Sequence, residues 1–183
     1  MTRTTSFHPR RIRQAALAGA GLLAVAGLGL AAAPTAGAVT TTPQCSTADL
    51  ATQLKGGGAA AGQRYATVVL TNTSGHACTV HGYGGLALLG APRQGVPTDL
   101  RRVASPAPGT VTLAPGASAR SLLHWAVVPA VDENAFTCEP TAVTVVVTPP
   151  NQTTAALRPW TFGPVCQHGR IDQNAYVAGS AAF

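Results

Sequence analysis

Residues 64–72 (RYATVVLTN) alternate strictly, with Ala66, Val68 and Leu70 on one face and Tyr65, Thr67, Val69 and Thr71 on the other. A period of two marks a β-strand with one buried face. Residues 117–128 repeat the pattern, with Ala119, Ser121, Leu123, Trp125 and Val127 facing one way and Arg120, Leu122 and His124 the other. Trp125 is therefore the expected core aromatic. Residues 143–148 (VTVVVT), fenced by Pro140 and by Pro149 and Pro150, form the densest β-branched run and predict a central, buried strand. Shorter extended stretches are expected at residues 78–80, 86–89 and 110–113, with weaker ones at 155–162 and 171–177.

Turn chemistry separates these runs. Thr73, Ser74, Gly75 and His76 predict a hairpin joining 64–72 to 78–80. Pro115-Gly116 fits the two central positions of a type II turn, because Pro presets φ and Gly supplies the positive φ that follows. The run Gly82-Tyr83-Gly84-Gly85 predicts a bend or bulge, and residues 55–62 (KGGGAAAG) and 105–109 read as loops. No long 3.6-residue apolar period occurs after residue 38. The expected architecture is an all-β sandwich of about seven to nine strands.

The first 38 residues read differently. Arg3, Arg10, Arg11 and Arg13 precede an uncharged Ala/Gly/Leu run that ends at Pro34, and Ala36-Gly37-Ala38 offers a small-residue cleavage site. This is the layout of a cleaved signal peptide, leaving 145 of the 183 residues as the mature chain. The run is too poor in large apolar residues to be preferred as an anchor, so no stable membrane insertion is expected after cleavage. Residues 39–44 read as a short flexible leader, 45–178 as the sandwich domain and 179–183 as a C-terminal tail.

Charge adds an exclusion. Four of the twelve basic residues and none of the six acids lie in the first 38 residues, so the mature net charge is only about +2. That is too small and scattered for a nucleic-acid-binding surface. Export to an oxidising compartment turns Cys45, Cys78, Cys138 and Cys166 into an expected pair of disulfides. Three pairings are open, and Cys45–Cys78 with Cys138–Cys166 is favoured because each closes a moderate local loop. A Cys2His2 metal set from Cys78, His81, Cys166 and His168 is the rival, disfavoured by the oxidising route and by the unusual C-x-H spacing.

Catalytic chemistry finds little purchase. Gly116-Ala-Ser118-Ala-Arg120 lacks the closing glycine of a nucleophile elbow. Asp132 and Glu133 read as solvated loop acids, and Asp49, Asp99, Glu139 and Asp172 are isolated along the chain. His76, His81, His124 and His168 fall mostly beside turns or cysteines. Asn72-Thr73-Ser74 and Asn151-Gln152-Thr153 match the glycosylation tripeptide but read as turn chemistry. No catalytic residue, metal site or cofactor is expected.

The order Cys45-Ser-Thr-Ala-Asp-Leu, TVVLTNTSGHAC ending at Cys78, GYGG at 82–85, LAPGASA at 113–119, Trp125, Cys138 and Cys166 resembles a secreted actinobacterial domain of unknown function, number four-two-three-two. The resemblance covers roughly residues 45–178, with Gly84 where that family usually shows proline. It implies an immunoglobulin-like domain with paired cysteines, secreted or lipid-anchored, and no established activity.

The expected function is a secreted, non-catalytic binding or structural module at or outside the cell envelope, facing an unknown protein or envelope ligand through loop 90–99 or 131–136. An extracellular protease inhibitor using Arg93 or Arg101 and a histidine-based metal-binding protein are the alternatives.

Overall fold

The computed structural model describes residues 41–136 and 138–182, so the signal peptide expected at 1–38 lies outside the described residues. A 3-10 turn at Thr47–Asp49 precedes twelve strands: β1 (Leu50–Ala60), β2 (Gln63–Asn72), β3 (Cys78–His81), β4 (Gly85–Leu89), β5 (Gly95–Val96), β6 (Asp99–Val103), β7 (Thr110–Leu113), β8 (Ser118–Ala126), β9 (Thr144–Thr148), β10 (Ala156–Pro159), β11 (Arg170–Asn174) and β12 (Val177–Ala178). The first sheet has the order β1-β2-β8-β11-β6, with β12 also on β8; the second has the order β10-β9-β4-β5; β3 and β7 form a separate pair. Among the named strands all pairings are antiparallel except β6 with β11. The molecule is an all-β sandwich.

The core follows the alternation. Ala66, Val68 and Leu70 of β2, Ala119, Leu123 and Trp125 of β8 and Ile171 of β11 meet Leu86 and Leu88 of β4 and Val145 and Val147 of β9. Trp125 packs on Trp160 at 5.0 Å and on the edge of Phe162 at 6.2 Å, with its indole N–H on the Pro164 carbonyl at 3.1 Å. The two-period pattern of β2 is incomplete as a guide, because Thr67 and Val69 on the opposite face are buried as well. Their cross-strand neighbours on that face, Lys55 and Arg120, reach out to the tail. Lys55 donates to the Ser180 carbonyl at 2.6 Å and Arg120 to that of Ala181, so residues after β12 are bonded onto the outer face of the sheet. In the second sheet only one face of β9 is covered: Val145 and Val147 are buried while Thr144, Val146 and Thr148 are half-buried.

Three expectations need correction. Residues 55–60 are not a loop but the end of β1, paired with β2 through a register shift between Gly56 and Ala59. Ala61 and Gly62 then close the hairpin with φ of 48° and 76°, the pair of positive values that a two-residue type I′ turn requires. The hairpin expected after Asn72 does not form, because β3 leaves β2 and pairs with β7. The buried Asn72 side chain directs this corner, donating to the carbonyls of His76 at 2.8 Å and Leu113 at 3.0 Å while its oxygen accepts from the Ser74 N–H. Of the leader expected to be flexible, Pro43 and Gln44 are tied to β3: the Thr79 N–H donates to Pro43 at 2.8 Å, and Gln44 bridges Thr79. The turn at Pro115-Gly116 has its positive φ of 80° at Gly116, as expected.

Candidate functional site: a clamped apolar loop

Between Ala126 and Thr144 the described residues form no strand, over a stretch longer than the roughly 12–15 residues beyond which a structureless connection usually has a job. It carries Val128, Val131, Phe136 and Val143, four of the five large apolar residues left exposed among the described residues; Val131 and Phe136 are 107% and 96% exposed. Large apolar side chains bared together on a loop are the surface feature that marks an interaction site.

The loop is pinned from beneath. Cys138 is bonded to Cys166, and the side chain of Glu133, only 4% exposed, faces inward. Glu133 Oε2 accepts from the backbone N–H of Ala130 at 2.6 Å and of Gln167 at 2.7 Å, and Oε1 accepts from that of His168 at 2.5 Å. The donors converge because Gln167, His168 and Gly169 follow one another at positive φ (56°, 60° and 75°). Successive N–H groups in such a turn form an anion-binding concavity, here filled by the protein's own carboxylate. Only glycine fits at 169, since any Cβ there would run into the Pro97 carbonyl. Burial alone would raise the Glu133 carboxyl, but the three N–H groups and the neighbouring His168 outweigh it and hold the group below the ordinary glutamate range. Near the tip, Asn134 accepts from the Phe136 N–H at 2.8 Å through its side chain and from the Cys138 N–H at 3.0 Å through its carbonyl.

The adjacent acids thus divide. Asp132 is exposed and lies 3.2 Å from His168 Nε2, whereas Glu133 is not the solvated loop acid its sequence suggests. Glu139, isolated in sequence, comes close to Glu133 and His168: ligand atoms of the three lie within 4.8 Å of one another. Of the three, Glu133 already accepts backbone N–H bonds at both oxygens. No other histidine among the described residues joins this trio: His81 bonds Thr110 on the β3–β7 pair, His124 lies on β8, and His76 belongs to the Asn72 corner. The Cys2His2 set is dissolved, with Cys45–Cys78 and Cys138–Cys166 as the two disulfides.

The other candidates are fastened elsewhere. Loop 90–99 is partly β5, paired with β4 and anchored by buried Val96. Arg93 is exposed in a tight turn at φ 72°, while Arg101 lies in β6 with its Nε on Asp99 at 2.7 Å. Asp49 accepts from Ser46 at the 3-10 turn, and Ser118 pairs with the Thr71 hydroxyl at 2.8 Å across two strands. Asn72 is buried and bonded within the corner, as turn chemistry requires.

These features define a disulfide-bonded β-sandwich that presents one long loop, braced from inside and apolar outside. The chain belongs to the family described as "Domain of unknown function (DUF4232)", whose model matches residues 45–176. No curated protein and no solved structure matches it significantly.

Proposed function

We propose that this chain is a secreted, non-catalytic binding module acting at or outside the cell envelope, and that the loop between β8 and β9 is its contact surface. The carrying observation is the near-complete exposure of Val131 and Phe136 on a loop whose base is fixed by a disulfide and a buried carboxylate. A pre-ordered loop loses little conformational freedom on docking, so its apolar tips contribute more of their burial energy to affinity. Two disulfides suit an oxidising compartment, and among the described residues no helix is long and apolar enough to cross a membrane.

The test is retention of components from solubilised envelope and secreted fractions on the immobilised mature chain, compared with a Val131→Ser/Phe136→Ser variant. Loss of a discrete partner from the variant, with unchanged circular dichroism, is expected. Equal retention by both proteins contradicts the loop as contact surface, and a turnover abolished by one point substitution contradicts a non-catalytic role.

An extracellular protease inhibitor is the second reading, favoured by the disulfide just beyond Phe136. The residue entering the enzyme would then be Phe136, rather than Arg101, held in β6, or Arg93, in the turn before β5. Inhibition of chymotrypsin-like proteases by the wild type and not by Phe136→Ser supports it; no inhibition at micromolar concentrations counts against it.

A further inference from the structure

On the outer face of the first sheet, register lines up Tyr65 of β2, His124 of β8, Asp172 of β11 and Arg101 of β6. At the end of this row nearest the 167–169 turn lies a cleft of about 220 Å³, lined by Gln63, His124, Gln167, Arg170 and Asp172, with Trp125 and Ala126 also on its wall. Its polar groups hold one another in place. Arg170 lays Nε and Nη2 on the Asp172 carboxylate at 3.1 and 3.4 Å, His124 Nδ1 is 3.6 Å from Asp172, and His124 Nε2 is 2.7 Å from the Gln63 amide. Tyr65 stacks on the imidazole at 4.8 Å and fixes its plane.

We propose that this cleft binds a single neutral sugar ring, a hexose or N-acetylhexosamine unit. Three observations select that class. The charges of Arg170 and Asp172 are paired, so the wall offers no net charge to an anion or a cation, and a charged ligand would have to break the pair. Two amides, an imidazole and a guanidinium–carboxylate pair present donors and acceptors side by side, and hydroxyl groups are ligands that donate and accept at once. The volume lies below the roughly 300 Å³ at which pockets for larger ligands begin, enough for one small ring.

The same geometry argues against cleavage of the bound sugar. Glycoside hydrolysis canonically uses two carboxyl groups across the bond, and among the described residues Asp172 is the only acid lining the cleft. Most of the wall rides on paired strands, which suits recognition because the groups are already at their bonding positions. The cleft shares Gln167 with the turn that clamps the loop, but neither Val131 nor Phe136 lines it, so loss of those two tips and loss of the cleft can be told apart.

Isotope-labelled mature protein is titrated with glucose, galactose, mannose and N-acetylglucosamine, and with inorganic phosphate as the anionic probe, while the side-chain resonances of Gln63, Gln167 and His124 are followed. At least one sugar is expected to shift these signals saturably in the millimolar range or below. Asp172→Asn should weaken binding at least about tenfold with the backbone spectrum otherwise preserved. Gln167→Ala, on the exposed rim, should also weaken it and serves as the probe if the first variant misfolds. The Val131→Ser/Phe136→Ser variant should bind the sugar as the wild type does, even if it has lost its protein partner. No saturable shift with any sugar, a stronger response to phosphate, or unchanged binding in Asp172→Asn and Gln167→Ala would each overturn the assignment.

Discussion

Glu133 shows how one side chain can organise a surface it does not belong to. Its carboxylate ties the loop at Ala130 to the turn at Gln167 and His168, and hydrogen bonds to charged groups contribute about 1.5–3 kcal/mol each in favourable settings. Glu133→Gln keeps one acceptor oxygen and loses the charge, so a destabilisation of about 1.5–3 kcal/mol is expected in urea unfolding, with faster amide exchange at residues 130–136. The pH dependence has a definite sign. Because the folded carboxyl is held below its unfolded value of about 4.3, its contribution is fully present above that pH and is lost as pH falls through the lower folded value. A stability profile between pH 5 and pH 2 should therefore be flatter for Glu133→Gln than for the wild type. Tyr176 makes the opposite case: its ring is in the core, no protein group reaches its hydroxyl, and burial pushes the phenol well above its ordinary value. Tyr176→Phe should leave stability unchanged or raise it by about 1 kcal/mol, and a loss larger than that would show that the hydroxyl is satisfied in solution.

At the scale of elements, the strands visible in the sequence are those whose own side chains carry the packing signal. The alternation of β2 and β8 put Ala66, Val68, Leu70, Leu123 and Trp125 into the core correctly. β1 was hidden because residues 56–60 have almost no side chains to alternate; backbone pairing to β2, at a sheet edge that tolerates glycine, makes the strand. β6 (DLRRV) was hidden for another reason, being a charged edge strand recruited in parallel by β11 from far along the chain. Turn residues were read correctly as turns, but not which strands they join, since pairing is decided by buried groups such as Asn72. Asn72→Ala leaves the His76 and Leu113 carbonyls without their donor, so a loss of about 2–3 kcal/mol is expected by denaturant unfolding. The site was half visible: residues 131–136 read as an exposed loop, but the burial of Glu133 depends on donors 34 and 35 residues downstream.

At the scale of the whole molecule, the two disulfides have different roles although they span similar separations, 33 and 28 residues. In the chain-entropy model each is worth about 3.5 kcal/mol. Cys45–Cys78 fastens the segment before the 3-10 turn to β3 inside the core, whereas Cys138–Cys166 fastens the contact loop to the turn before β11. Replacing Cys138 and Cys166 by Ala should lower the melting temperature yet leave the Trp125 near-ultraviolet signal native, while partner retention falls sharply. An unchanged retention would mean that the loop needs no clamp.

The most direct measurement replaces Phe136 with a photo-crosslinking phenylalanine analogue and, in a parallel sample, places the same analogue at Ala87, an exposed position on the outer face of β4. Illumination in the presence of envelope and secreted fractions should give one discrete adduct from position 136 and none of that mass from position 87. Adducts of equal yield at both positions, or none at 136, would contradict a binding module that works through this loop.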